Sequence, residues 1–265
     1  MNLLECLNQL QGEELTMANA ASRLCQEIIL SGIAKSSLSN NVTIKGGVVM
    51  RSLSEDARRA TVDLDIDFIR YSLDDVMIRK FIDKINCLDG IDIAVVDAIE
   101  ELKQQDYRGK RVYVQITDTE GNQLNSKIDF GVHKYLEIEQ DEYCFGVCFD
   151  EEGASLLINS REQMFAEKIK SLLKFGTYST RYKDIFDLCY LARGVRKDKL
   201  QQCLDIYIFK DANMLEKDMN DIRRRLGDIF ENKKYLRRVM DSRKNWLEID
   251  IDDAIAEIFK ALEQV

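Results

Sequence analysis

Asp63, Asp65 and Asp67 stand at alternate positions and are the residues of this chain best placed to do chemistry. Val62, Leu64, Ile66 and Phe68 fill the places around them, so the run Thr61 to Phe68 alternates strictly. Strict alternation predicts a β-strand with one apolar face. The three carboxylates then share the other face, roughly 6.5–7 Å apart. At an effective dielectric near 20, neighbours at that spacing repel by roughly 2 kcal/mol before screening. Either water, as on a solvated edge strand, or a cation must relieve this. A hard divalent cation such as Mg²⁺ (or Mn²⁺) takes oxygen ligands, often one or two carboxylates with substrate phosphates.

The complementary half lies just upstream. The apolar run Val42 to Ile44 ends in Lys45-Gly46-Gly47. Glycines let a backbone approach a ligand closely and take positive φ. If Val48 to Ser54 opens a helix there, its free N–H groups point at any anion above the glycines. A phosphate cradle ahead of an Asp-x-Asp strand resembles the layout of nucleotidyltransferases of the DNA polymerase β type. A third carboxylate, Asp129, lies between Ile128 and Phe130 in a run, Leu124 to Val132, that reads as the returning arm of a hairpin. Beside the Asp63 strand it would complete a three-acid metal cradle.

Other chemistries are poorly served. His133 is the only histidine of 265 residues, so triads and His-rich metal sites lack partners. The 7 cysteines have no zinc spacing and read as reduced thiols. Nothing in the first 40 residues reads as a signal peptide, and no run of about 18 apolar residues exists. A cytoplasmic protein with no membrane partner is the expectation. A net charge of −9 is not that of a generic nucleic-acid binder. Between Arg223 and Lys244, however, nine basic residues face three acidic ones, a local +6 in that acidic chain. Arg223, Arg224, Arg225, Lys233, Lys234, Arg237 and Arg238, with Tyr235 and Trp246 nearby, could hold RNA phosphates or could be solvated helix faces.

The elements that position these residues fall into two textures. Leu3 to Leu10, Glu14 to Ala34 and Asp74 to Ile85 have helical period. Val42 to Lys45, Val62 to Ile69, Ile91 to Ile99, Arg111 to Thr117 and Leu124 to Val132 read as strands, with a hairpin turn at Thr119 to Asn122. Tyr143 to Phe149 and Leu156 to Asn159 suggest further short strands. From Ser160 onward only helical patterns remain. Ser160 with Gln163 fits a capping box, Gly176 stops that helix, and Thr180 can cap the next, Arg181 to Arg193. The expected fold is α+β: a nucleotidyltransferase-type mixed sheet flanked by helices over residues 1–155, then an all-helical domain over 156–265 that contributes to the active-site cleft.

Four pieces occur in order: Lys45-Gly46-Gly47, then Arg59-x-Thr61-x-Asp63-x-Asp65, then a helix bearing Glu167-Lys168, then Arg181-x-Lys183-Asp184-x-x-Asp187-Leu188. Together they resemble the AbiEii/AbiGii family of nucleotidyltransferase toxins. That resemblance covers roughly Val42 to Leu191. It implies an NTP substrate, a winged-helix antitoxin of a type IV toxin–antitoxin system, a role in abortive infection and phage defence, and an RNA acceptor such as tRNA. It also implies roles. Asp63 and Asp65 would bind metal with Asp129. Gly46 and Gly47 with Lys45 would hold the phosphates, and Lys168 would reach the triphosphate with Arg181 and Lys183. Asp184 would be the essential acid of the last motif. Val48 stands where many relatives place Thr or Ser, and Asp67 leaves open an alternative metal pair, Asp65 with Asp67. A small-molecule or protein nucleotidyltransferase, and a non-catalytic nucleotide-binding protein, are the competing readings.

Overall fold

A computed structural model describes residues 1–12, 15–102 and 109–265. These divide into two compact units, Met1–Asn159 and Ser160–Val265. The division falls beyond residue 155 because the last strand of the first unit continues to Ile158.

The first unit is one mixed sheet with helices. In chain order its strands are β1 (Val42–Lys45), β2 (Leu64–Phe68), β3 (Ile91–Val95), β4 (Glu100–Leu102), β5 (Gly109–Asp118), β6 (Gln123–Val132), β7 (Asp141–Val147) and β8 (Asp150–Ile158). They lie in the order β3-β5-β6-β2-β1-β8-β7, with β4 on β5. The β2–β6 and β1–β8 pairs are parallel and the remaining pairs antiparallel. β5 and β6 form the expected hairpin, and Asp118 fixes its turn by accepting from the N–H groups of Glu120 and Asn122. The returning β7–β8 hairpin is longer than its apolar residues alone suggest, because polar Asp150–Gly153 also pairs or turns there.

The helices of this unit are α1 (Leu3–Gln11), α2 (Met17–Lys35), α3 (Gly46–Ser54) and α4 (Asp75–Ile85). Glu14, the expected start of the second helix, lies outside the described residues; Thr16 caps α2, its hydroxyl accepting from Asn19 N–H at 3.3 Å. The apolar face of the sheet carries Ile44, Leu64, Ile66, Phe68, Ile128 and Phe130, all buried. α4 closes part of it: the Phe81 ring lies 5.1 Å from Phe68 and 5.5 Å from Phe130. Full burial of each such ring is worth roughly 2–3 kcal/mol. The opposite face is left for the acids.

Two strand expectations need correction. β2 begins at Leu64, not Val62, and Val62 is 56% exposed. The Gln26 side chain of α2 donates to the carbonyls of Thr61 and Val62, at 3.1 and 3.2 Å. Those carbonyls are thereby taken out of the ladder. Likewise the β3 region pairs only to Val95, with Glu100–Leu102 pairing separately as β4.

The second unit is helical: α5 (Arg161–Phe175), α6 (Lys183–Ala192), α7 (Lys197–Leu204), α8 (Met219–Phe230), α9 (Lys233–Asp241) and α10 (Ile251–Glu263). A π-helical turn, Asp205–Phe209, extends α7. Ser160 caps α5 by accepting from Gln163 N–H at 3.2 Å. The Gln163 amide donates to Glu167 and to the Tyr207 hydroxyl. Gly176 ends α5 at φ 51. Thr180 does not cap the next helix. Ser179 accepts from Arg181 N–H instead, and α6 opens two residues later than expected, at Lys183, without a side-chain cap.

Candidate active site

In the first unit the site is built by register. Lys45 of β1 partners Asp65 of β2, Asp65 partners Asp129 of β6, and Asp129 partners Arg111 of β5. Register partners project from one face of a sheet, so two carboxylates stand side by side with a cation at each end of the row. The guanidinium of Arg111 grips Asp129 with two bonds of 2.7 Å. This pairing holds Arg111 well above its ordinary pKa. Lys45 turns along the strand to Asp67, at 2.7 Å, and Lys127 of β6 pairs with Asp63, also at 2.7 Å.

Asp65 is the exception. Among the described residues its carboxylate has no hydrogen-bond or ion-pair partner of its own. Its pKa is pushed up to about 6, by burial first. Lys45 opposes the shift, while Asp129, Asp63 and Asp67 add to it. A carboxylate in that position calls for a cation. Hard oxygen donors on adjoining strands suit a divalent metal by chemistry. Among the described residues, however, no three acidic, histidine or cysteine side chains are gathered closely enough to hold a metal ion as they stand. Asp63, Asp67 and Asp129 are each turned toward their own basic residue.

The glycines stand against the acids. Gly46, at φ 68, opens α3, and a Cβ there would overlap the Oδ2 of Asp65. A Cβ on Gly47 would overlap the Thr61 hydroxyl. The Lys45-Gly46-Gly47 turn and the Thr61–Asp65 segment are thus packed backbone to side chain. Gln26 secures that segment from behind, and Arg51 of α3 in turn donates to Gln26 at 2.6 Å.

The second unit holds its own charged cluster. Lys168 of α5 is buried between two carboxylates of α6, Asp184 at 2.5 Å and Asp187 at 2.9 Å. Burial opposes its charge, but Asp184 and Asp187 outweigh this and raise its pKa. Asp187 is fully buried, and its other oxygen accepts from Trp246 Nε1 at 3.0 Å. Asp184 also accepts from Arg181, at 2.8 Å, whose side chain is 63% exposed. Lys168, Asp184 and Arg181 are therefore brought together as the sequence motif suggests. Lys183 begins α6 beside them in sequence.

The basic residues of α8 and α9 divide. Arg224, Arg225, Lys233, Lys234, Arg237 and Arg238 are exposed. Arg223 is spent on packing: it donates to the carbonyl of Leu262 at 2.7 Å, near the end of α10. Tyr235 and Trp246 are buried, so the aromatics of this segment are core residues and not a surface for RNA.

Sequence reasoning missed Arg111, Lys127 and Gln26, gave Asp187 no role of its own, and set Trp246 with the basic segment and not with Asp187. Asp187 was visible in the last motif. For the others the only signal is residue type, since their roles depend on which distant strand or helix lies alongside.

A Gly-Gly turn opening a helix beside an Asp-x-Asp strand, with a third aspartate from the neighbouring parallel strand, is the arrangement of a nucleotidyltransferase. Residues 28–260 match the family model described as nucleotidyl transferase AbiEii toxin, type IV toxin–antitoxin system. The chain belongs to this family, and the matched span includes every candidate residue named above from Lys45 to Arg238. Among solved structures it is similar to an antigenic nucleotidyltransferase-like protein from Paracoccidioides brasiliensis. The two are 15% identical, with a TM-score of 0.47 over 81% of this chain and 92% of that one. No curated protein matches it. Among the described residues no helix is long and apolar enough to cross a membrane.

Proposed function

We propose that the chain moves a nucleoside monophosphate from an NTP to a hydroxyl of an RNA such as tRNA, and that it needs a divalent cation to do so. The observation that carries the reading is the Lys45–Asp65–Asp129–Arg111 row beside Gly46 and Gly47. The acceptor hydroxyl loses its proton and bonds to the α-phosphorus; the bond from that phosphorus to the bridging oxygen breaks, and pyrophosphate leaves. Asp63, Asp65 and Asp129 would hold Mg²⁺ or Mn²⁺, with Lys127 and Arg111 giving up their acids. When bound, the cation lowers the pKa of the attacking hydroxyl and neutralises charge on the phosphates. Gly46 and Gly47, at the N-terminus of α3, take phosphate oxygens by backbone N–H. Lys168 serves the triphosphate, and Asp184 holds it in place beforehand. Arg181 and Lys183 add to the phosphate field.

The RNA acceptor is supported by the exposed basic residues of α8 and α9. The chain acts in the cytoplasm as the toxin of an abortive-infection system, restrained by a winged-helix antitoxin; family membership supports the toxin–antitoxin part. The test gives the purified chain each α-labelled NTP in a cell extract, with Mg²⁺ or with EDTA. Label in ribonuclease-sensitive material, only with Mg²⁺, is the expected result. Label in protein or in a small molecule would replace the RNA acceptor. Equal labelling in EDTA would remove the metal.

A further inference from the structure

Tyr178 is 87% exposed, far more than any other aromatic side chain of the described core or surface. It buries almost nothing, so packing does not account for an aromatic ring there. A single exposed apolar residue is ordinary, but the surroundings of this one are not. It stands on a tight turn, Gly176–Tyr178, between α5 and α6. Both neighbours are tied down: Arg238 of α9 donates to the Thr177 carbonyl, and Ser179 is buried with its N–H bonded to the Gly176 carbonyl at 3.1 Å. Arg225 of α8 closes the other side, its guanidinium 3.1 Å from where a Cβ on Gly176 would stand. The ring is therefore held out on a firm base.

The charges of α8 and α9 are equally specific. Arg224 pairs with Asp221, and Arg237 reaches Asp241 at 3.9 Å. Among the described residues Arg225 and Arg238 have no carboxylate partner. Three residues before Tyr178, the Phe175 ring is 47% exposed and the Lys174 ammonium lies 5.9 Å above its centre. An outward aromatic ring beside guanidiniums whose charge no carboxylate neutralises is the surface that single-stranded nucleic acid requires. Bases stack on the ring and phosphates meet the cations. A duplex, whose bases are already stacked, offers such a ring nothing.

We propose that Tyr178 is a stacking platform for an unpaired base of the acceptor strand, with Arg225 and Arg238 taking the phosphates on either side of that base. The proposal rests on the RNA reading above and deepens it by fixing where an unpaired nucleotide is gripped. The test measures binding without NTP, so it does not depend on transfer. The probe is a fluorescein-labelled oligoadenylate of about ten nucleotides, a length one binding module can track, together with the same strand annealed into a duplex. Tyr178→Ala should weaken binding of the single strand by about 5- to 150-fold, the range for one lost base stack. Its salt dependence should be unchanged. Tyr178→Phe should bind as the parent does. Arg225→Gln with Arg238→Gln should instead flatten the salt slope, by about 0.7 per lost phosphate contact.

Equal binding by Tyr178→Ala and the parent, with the arginine variants impaired, would overturn the stacking role and leave the RNA reading standing. Loss in Tyr178→Phe would assign the residue to a hydroxyl contact and overturn stacking too. A parent chain that prefers duplex would overturn stacking and leave the RNA reading standing, whereas one that binds neither form would overturn both readings and leave the surface to a protein partner.

Discussion

Asp65 and Asp129 are register partners on adjoining parallel strands, yet only Asp129 has a guanidinium of its own. The unmatched member of the pair sets the behaviour of the site without metal. Asp65 has its pKa raised to about 6. The folded protein therefore holds this proton more tightly than the unfolded chain does. That contribution to stability is complete below the unfolded value near 3.9 and is lost as pH rises through about 6. The loss amounts to at most roughly 3 kcal/mol. Asp65→Asn is neutral at every pH. In EDTA it should be more stable than the parent at pH 8 and no more stable near pH 4, as read by urea unfolding at the two pH values. The same variant should be inactive in transfer.

The two glycines should be intolerant for different reasons. Gly46→Ala meets both a positive φ and the Asp65 carboxylate, whereas Gly47→Ala meets only the Thr61 side chain. Each should lower stability by about 1–3 kcal/mol. Thr61→Gly should restore much of the stability of Gly47→Ala and none of that of Gly46→Ala. Thermal unfolding of the two double variants decides whether these contacts exist.

Lys168 and its two acids should separate by role. Removing one partner of a buried ion pair costs about 3–5 kcal/mol, because the other charge is stranded. Asp187→Ala, at a fully buried position, should approach that cost; Asp184→Ala, nearer the surface, should cost less. In transfer assays Lys168→Ala should act mainly on NTP affinity and Asp184→Ala mainly on turnover. Wild-type transfer and toxicity in both variants would remove these helices from the catalytic assignment.

Charge reversal on α9 should act through salt. Arg237→Glu with Arg238→Glu should weaken RNA binding and reduce the slope of log affinity against log salt by at least about 1. Titrations at several salt concentrations measure this directly. An unchanged slope would assign both residues to solvation.

Much of this was legible in the chain itself. The alternation around Asp65 announced a strand, and the helix considered from Val48 is present as α3 but opens two residues earlier, at Gly46. Ser160 and Gly176 marked both ends of α5. What could not be read was pairing across distance. Nothing local says that Arg111 faces Asp129 or that Lys127 meets Asp63, since each match depends on the register of strands tens of residues apart. The start of β2 was misplaced for the same reason: Gln26, on another element, withdraws two carbonyls from the ladder. Tyr178 was passed over because the Gly176-to-Thr180 stretch reads as a connection, and exposure is not written in a residue's type.

Trp246 is the only tryptophan in the chain. Its indole N–H is bonded to Asp187, the acid that also holds Lys168. Nearly all the ultraviolet emission of this protein therefore originates one residue away from the buried lysine. If a ligand pulls the Lys168 ammonium off Asp187, the electric field across the indole changes and the emission maximum moves with it. The molecule carries its own optical gauge of that lysine's allegiance, readable in unlabelled protein by adding NTP to a cuvette.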